Sequence, residues 1–369
     1  MDEAGISYER SSFRDHELMV AFSTSRIGLG ILLILVGSVA ANMLDVTIRV
    51  MQQIELSSGT KAFTSFEIMT ARTLWGLPLV VVFALVDASF SRRAGGIGWR
   101  WRFPGYRVAI LRSVLYLQVA TGFFIALEYL SVGNVTLLFF VYPLFITVLS
   151  VPILGDTVGV WRGGAVLVGF AGIGLVALAI GADPKTDSQS VQGYVPWWAI
   201  ALPLWSGLMY ATAQILMRFV PKEVPGMMIS LYTQGLAGLW CVIIITVAAF
   251  IWPQGGSVGH LSAVQEALNY PSIIWGFLIF GAFSMALLSQ AFRFAPAVIL
   301  GPLDYVAVLG AYVFGYLILG DLPPTNSSTS FYLFGAGAIL ILISGITIVY
   351  RELILQQPLA SASTAGEAT

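Results

Sequence analysis

Ionisable side chains interrupt long apolar runs, among them Asp45, Glu67, Arg72, Arg112, Glu128 and Asp304. A charge in such surroundings is costly unless it is paired or used, so these positions are where chemistry would sit. Asp304, between Pro302 and Tyr305, stands about eight residues into its run, ~12 Å deep by helix rise. An acid there could bind a substrate amine or take up and release a proton; the alternatives are a cap on a broken helix or an ion pair with an arginine. Arg72, at similar depth, could bind a carboxylate or phosphate, or tie helices together through an ion pair. Arg112 and Glu128 lie near opposite ends of one run, where snorkelling to the interface would suffice. Asp45 and Glu67 fall near the ends of theirs and read as gate or surface groups.

The remaining inventory excludes most enzyme chemistry. The histidines are His16, in a polar tail, and His260, in a loop, so no intramembrane base, haem ligand or zinc ligand is expected. All three lysines (Lys61, Lys185 and Lys222) lie in loops, which removes a retinal Schiff base. Ser206-Gly207 belongs to no G-x-S-x-G motif. An aspartyl protease would need Asp304 and Asp321 together, yet Asp321 is expected at the surface end of its helix. No phosphate-binding G-x-x-x-x-G-K-[ST] loop occurs, so no work driven by nucleotide hydrolysis at such a loop is expected of this chain. Cys241 alone allows no internal disulfide, and a net charge of -1 offers no basic face for nucleic acid. The expectation is therefore a non-enzyme without metal or cofactor.

Stepping from these residues to the elements that hold them, 57% of the chain is apolar and 10% charged, against roughly a quarter charged in soluble domains. Lipid must cover such a surface. Apolar stretches long enough to span a bilayer lie near 27–49, 64–88, 107–130, 135–154, 163–181, 196–217, 226–251, 272–292, 297–319 and 331–350. The expected class is an all-α integral membrane protein of ten transmembrane helices. Trp197, Trp198 and Trp252 sit at predicted ends, as an aromatic belt would. Ser38-Val39-Ala40 resembles a signal cleavage site, but the apolar run continues past it. With the N-terminus cytoplasmic, Lys and Arg outside the spans divide 13 against 3, the three being Arg49, Lys61 and Lys185, an asymmetry that predicts both termini in the cytoplasm of a plasma (bacterial inner) membrane. The basic, aromatic segment 99–107 would lie on the anionic lipid of that leaflet. The polar tails, 1–25 and 352–369, are expected to be disordered.

Ile153-Leu154-Gly155-Asp156 recurs 165 residues later as Ile318-Leu319-Gly320-Asp321, each copy preceding a glycine-rich helix. This divides the chain into a tail 1–26, a five-helix half 27–181, a linker 182–195, a second half 196–350 and a tail 351–369. Five spans per half is odd, so the second half must be inverted relative to the first. Inverted repeats suit alternating access, because two equivalent halves can rock about a midplane site. The glycine faces would serve packing or a homodimer contact.

The stretch from Ala126 through Glu128, Gly133, Asn134 and Thr136, with Tyr142-Pro143-Leu144-Phe145, the Leu-Gly-acid ending and Gly169-Phe170-Ala171-Gly172, resembles an EamA repeat of the drug/metabolite transporter superfamily. The second copy, from Ala291 to Asp321, is similar but looser and lacks a match to Pro143. The resemblance implies a central cavity between the first, third, fourth, sixth, eighth and ninth helices. On those helices Asn42, Tyr116, Tyr142, Trp205, Tyr210, Gln214, Gln290 and Tyr305 become candidate substrate groups, each with packing as the alternative. Tyr210 and Gln214 share a face at i and i+4, whereas Trp205 and Tyr210 do not. With Asp304 as binding or proton-coupling group, and Asp45, Arg72 and Arg112 as coupling or gating groups, the expectation is a secondary transporter of a small polar metabolite, an amino acid first. An organic anion is the alternative if Arg72 or Arg112 faces the cavity; a receptor, scaffold or channel is the reading from another class.

Overall fold

Inside a bilayer the backbone must satisfy its own hydrogen bonds, which a helix does locally. A computed structural model describes residues 3–54, 63–93, 102–155, 160–182, 195–221, 224, 226–251, 270–294, 303, 305–321 and 327–366, and all regular structure among them is helical. In order these are α1 (Glu3–Gln53), α2 (Ser65–Arg93), α3 (Tyr106–Ala126), α4 (Val132–Phe139), α5 (Tyr142–Leu154), α6 (Val160–Ala182), α7 (Trp197–Leu216), α8 (Gly226–Ile251), α9 (Pro271–Phe294), α10 (Val306–Phe314) and α11 (Ser328–Gly366). Among the described residues six segments are long and apolar enough to cross a membrane: Gly28–Gln53, Tyr106–Ala126, Val132–Leu154, Gly163–Ile180, Trp197–Phe219 and Ser328–Thr347. The other four expected stretches carry α2, α8, α9 and α10.

Two departures from the sequence reading have clear causes. Helix α1 extends back to Glu3 through the tail expected to be disordered. Residues 6–27 contain neither Gly nor Pro, and extending an existing helix is far easier than nucleating one. It also runs unbroken across Ser38-Val39-Ala40, with Ser38 buried and Gly37 packed on Leu287 and Leu288. The fourth expected span is split at Phe140-Val141 into α4 and α5. Pro143 explains the break: it has no N–H to return to the carbonyl of Phe139. That carbonyl faces Gly207 of α7 instead, where an added Cβ would stand 3.0 Å from it.

The glycines of the two Ile-Leu-Gly-Asp copies are alike in conformation. Gly155 and Gly320 both end their helices left-handed, at φ 72°, ψ 17° and φ 72°, ψ 16°. Only glycine enters that region without strain.

The helix pairings also come in matched sets. Contacts of α1 with α9 are mirrored by α7 with α3, those of α3 with α8 by α9 with α2, and those of α5 with α7 by α10 with α1. Three further pairs, α2–α8, α4–α10 and α6–α11, join helices at corresponding places on either side of residues 182–195. In the last, Gly172 and Gly337, again 165 residues apart, lie back to back, and a Cβ on either would meet the other's carbonyl oxygen at 2.8 or 2.6 Å. At the core's centre lies α4, whose Val132, Val135, Leu137 and Leu138 are 0% exposed.

Candidate functional site

Where α3, α5 and α7 meet, polar and aromatic side chains gather around a buried cation. Arg112 is 8% exposed, and its Nη2 donates to the Tyr116 hydroxyl (3.0 Å) and to Gln214 Oε1 (3.4 Å). Tyr116 is one helical turn beyond Arg112, which also stacks the guanidinium over the phenol ring at 5.0 Å. The rings continue inward. Tyr210 lies 5.8 Å from Tyr116, 5.4 Å from Phe139 and 4.9 Å, edge to face, from Tyr142. Phe140 then joins Tyr142 at 5.8 Å to Tyr305 at 5.9 Å. The break between α4 and α5 is what turns Phe139, Phe140 and Tyr142 towards this cluster. Tyr116, Tyr142, Tyr210 and Gln214 are half-buried.

A second charge lies beside it. Asp45 and Arg72 attract each other, and Arg72 also feels Tyr116. The Arg72 guanidinium sits over the Phe124 ring at 5.8 Å. Both groups lie deep among protein atoms yet keep some accessible surface, and Asp45 falls within the apolar segment Gly28–Gln53. Asp45 therefore stands inside the span of α1, not at its end.

The end of the bundle where α1 finishes is closed by polar bridges. Gln52 Nε2 donates to Ser65 Oγ (2.9 Å) and to the carbonyl of Phe124 (2.8 Å), and the Ser65 hydroxyl donates to Glu128 Oε1. Tyr312 of α10 donates to Asn134 Oδ1 of α4 at 2.9 Å, its ring seated against Gly133. Asp321, expected at the surface, is 8% exposed: its carboxylate accepts the Val132 N–H and is attracted by Arg49. Arg49, expected among the loop charges, is 2% exposed inside α1. The left-handed Gly320 turns the chain back, so that Asp321 points into the bundle rather than along the helix axis. Glu67 caps α2, accepting from Thr64 N–H (2.8 Å) and Thr64 Oγ1 (2.9 Å) in a capping box.

Of the candidates, the structure brings together Arg112, Tyr116, Tyr142, Tyr210, Gln214 and, at the edge, Tyr305. Tyr305 is buried with its hydroxyl against Gly345 of α11. Asn42 is 2% exposed and packs its amide on Gly310 of α10. Trp205 is 47% exposed. Asp304 lies outside the described residues, as does the side chain of Gln290. Sequence reasoning missed Arg49, Gln52, Ser65, Asn134, Tyr312 and Phe139. For Phe139 a signal existed, since Pro143 marks the carbonyl four residues earlier.

Long apolar helices with charges and hydrogen-bonding groups turned inward define a multi-pass membrane protein. Residues 28–178, somewhat under half of the chain, match the EamA-like transporter family. No curated protein matches the chain. It is similar to a solved chain described as "Crystal structure of protein", at 17% identity over 86% of this chain and 97% of the other, with a TM-score of 0.44, a likeness too distant to assign function.

Proposed function

We propose that the protein is a secondary transporter that moves a small polar metabolite across the plasma membrane by alternating access between two inverted five-helix repeats. The observation that carries this reading is the cluster of the buried Arg112 with the half-buried Tyr116, Tyr142, Tyr210 and Gln214, where the two halves meet. The matched helix pairings and the paired left-handed Gly155 and Gly320 support inverted halves, 27–181 and 196–350, of five spans each. With both termini cytoplasmic, the Asp321 end faces outward. Its bridges, Tyr312 to Asn134 and Asp321 to Val132, join the second half to the first and act as the outer gate.

An amino acid or related zwitterion is the first substrate reading. An organic anion is the second, favoured by the presence of Arg112 in the cluster. Counterflow into proteoliposomes, with amino acids and small carboxylates as paired internal and external solutes, tests both. Exchange of at least one solute is expected; exchange of none overturns the reading. Asp304 is proposed to couple a proton. Asp304→Asn should abolish the pH dependence of uptake, and a variant keeping wild-type rate and pH profile removes that role.

A further inference from the structure

Arg112 holds a positive charge that the described residues leave unmatched. Its hydrogen-bond acceptors, the Tyr116 hydroxyl and the Gln214 amide, are neutral, and its Nε makes no hydrogen bond. Asp45, the acid of the adjoining network, faces Arg72 instead. A guanidinium so enclosed is unstable unless an anion joins it. Of the contacts it does make, the one to Tyr116 at 3.0 Å is of ordinary length and the one to Gln214 at 3.4 Å is long, and neither acceptor carries a charge, so both bonds are weaker than a guanidinium makes to a carboxylate. Nε and Nη2 form the side-on edge of the guanidinium, the edge that grips both oxygens of a carboxylate at once. One of these nitrogens is unbonded and the other is held by neutral acceptors.

We infer that Arg112 is the anion-recognition residue of the transport site, taking the carboxylate of a small metabolite while Tyr116, Tyr142 and Tyr210 wall in the rest. This deepens the transporter reading and rests on it. A single guanidinium matches a carboxylate better than a phosphate dianion, which needs more charge to hold it. Gln214 and Tyr116 then serve as placeholders that keep the edge oriented until substrate arrives.

The test uses the purified full-length protein in detergent, titrated with the twenty common amino acids and with four- to six-carbon di- and tricarboxylic acids. Each is compared with its own carboxamide, by calorimetry or ligand-induced thermal shift. At least one acid should bind at least tenfold more tightly than its amide. Arg112→Gln should erase that preference, and Arg112→Lys should restore part of it. An acid and amide that bind equally, a panel in which no acid binds, or an Arg112→Gln variant that still prefers the acid overturns the inference. The acid–amide comparison needs no variant, so a misfolded Arg112→Gln does not blunt it. Counterflow on the same panel separates the two readings. Flux indifferent to amidation leaves the transporter and removes the carboxylate; acid-selective binding without flux of any solute does the reverse.

Discussion

Two buried arginines, Arg49 and Arg112, sit in contrasting company. Arg49 is 2% exposed and faces Asp321, whose carboxylate also accepts the Val132 N–H. Arg112 is 8% exposed, and its described partners are a phenol, an amide and an aromatic ring. The difference teaches how to separate fastening from function in a membrane interior. A buried charge with its counter-charge in place holds elements together, whereas one left with neutral partners is poised for a ligand.

The largest expected effect comes from breaking the matched pair. Arg49→Ala leaves the Asp321 carboxylate buried without its cation and should lower stability by about 3–5 kcal/mol, measured by reversible unfolding in mixed micelles. Asp321→Asn should cost less, because its amide oxygen still accepts from Val132. Replacing Arg49 and Asp321 together should cost less than the sum of the single changes. Additive costs would mean that the two do not interact.

Next comes the seam between α6 and α11, where closeness rather than charge fastens the halves. Gly337→Ala puts a Cβ 2.6 Å from the Gly172 carbonyl oxygen and should cost about 1–3 kcal/mol, with Gly172→Ala close behind. Gly335→Ala, two residues away with nothing within 4 Å of the added Cβ, should be neutral or slightly stabilising. Equal melting points for the Gly335 and Gly337 variants would contradict the tight seam.

How much of this was legible in the sequence depends on distance along the chain. Helical stretches were readable because polar turns and charges punctuate the apolar runs. Arg112 and Tyr116 stand at i and i+4, as do Tyr210 and Gln214, so each pair could be placed on one face. Their meeting across α3 and α7 could not be read, since nothing local encodes a contact 102 residues apart. Asp321 and Arg49 were misplaced for a different reason. A residue at a helix end is ordinarily wet, and only the left-handed turn at Gly320 directs this one inward. The break after Phe139 was legible in Pro143 but went unread, because the apolar run continues through it.

A smaller effect is expected from Tyr312→Phe, which deletes a neutral hydrogen bond to Asn134 and keeps the ring against Gly133. A net cost near 1 kcal/mol follows from the usual worth of such a bond. If the Tyr312–Asn134 bridge also holds the outer gate shut, the variant should label faster at a cysteine introduced at the buried Thr136 of α4, with Thr136→Cys alone as reference. Unchanged labelling would leave the bridge a fastening only.

The smallest expected change in stability is the most informative. Arg112→Gln forfeits two hydrogen bonds to neutral acceptors, at 3.0 and 3.4 Å, each worth about 0.5–1.5 kcal/mol. It also relieves the burial of an unmatched guanidinium, which opposes folding by a comparable or larger amount. The terms offset, so unfolding free energy should move by no more than about 1 kcal/mol in either direction, against 3–5 for Arg49→Ala. The same variant should lose substrate flux. A residue whose removal spares the fold but stops transport is held there by its ligand. Should Arg112→Gln instead destabilise as much as Arg49→Ala, a counter-charge must already face it, Asp304 being the first to examine by the double variant, and the contrast between the two arginines collapses.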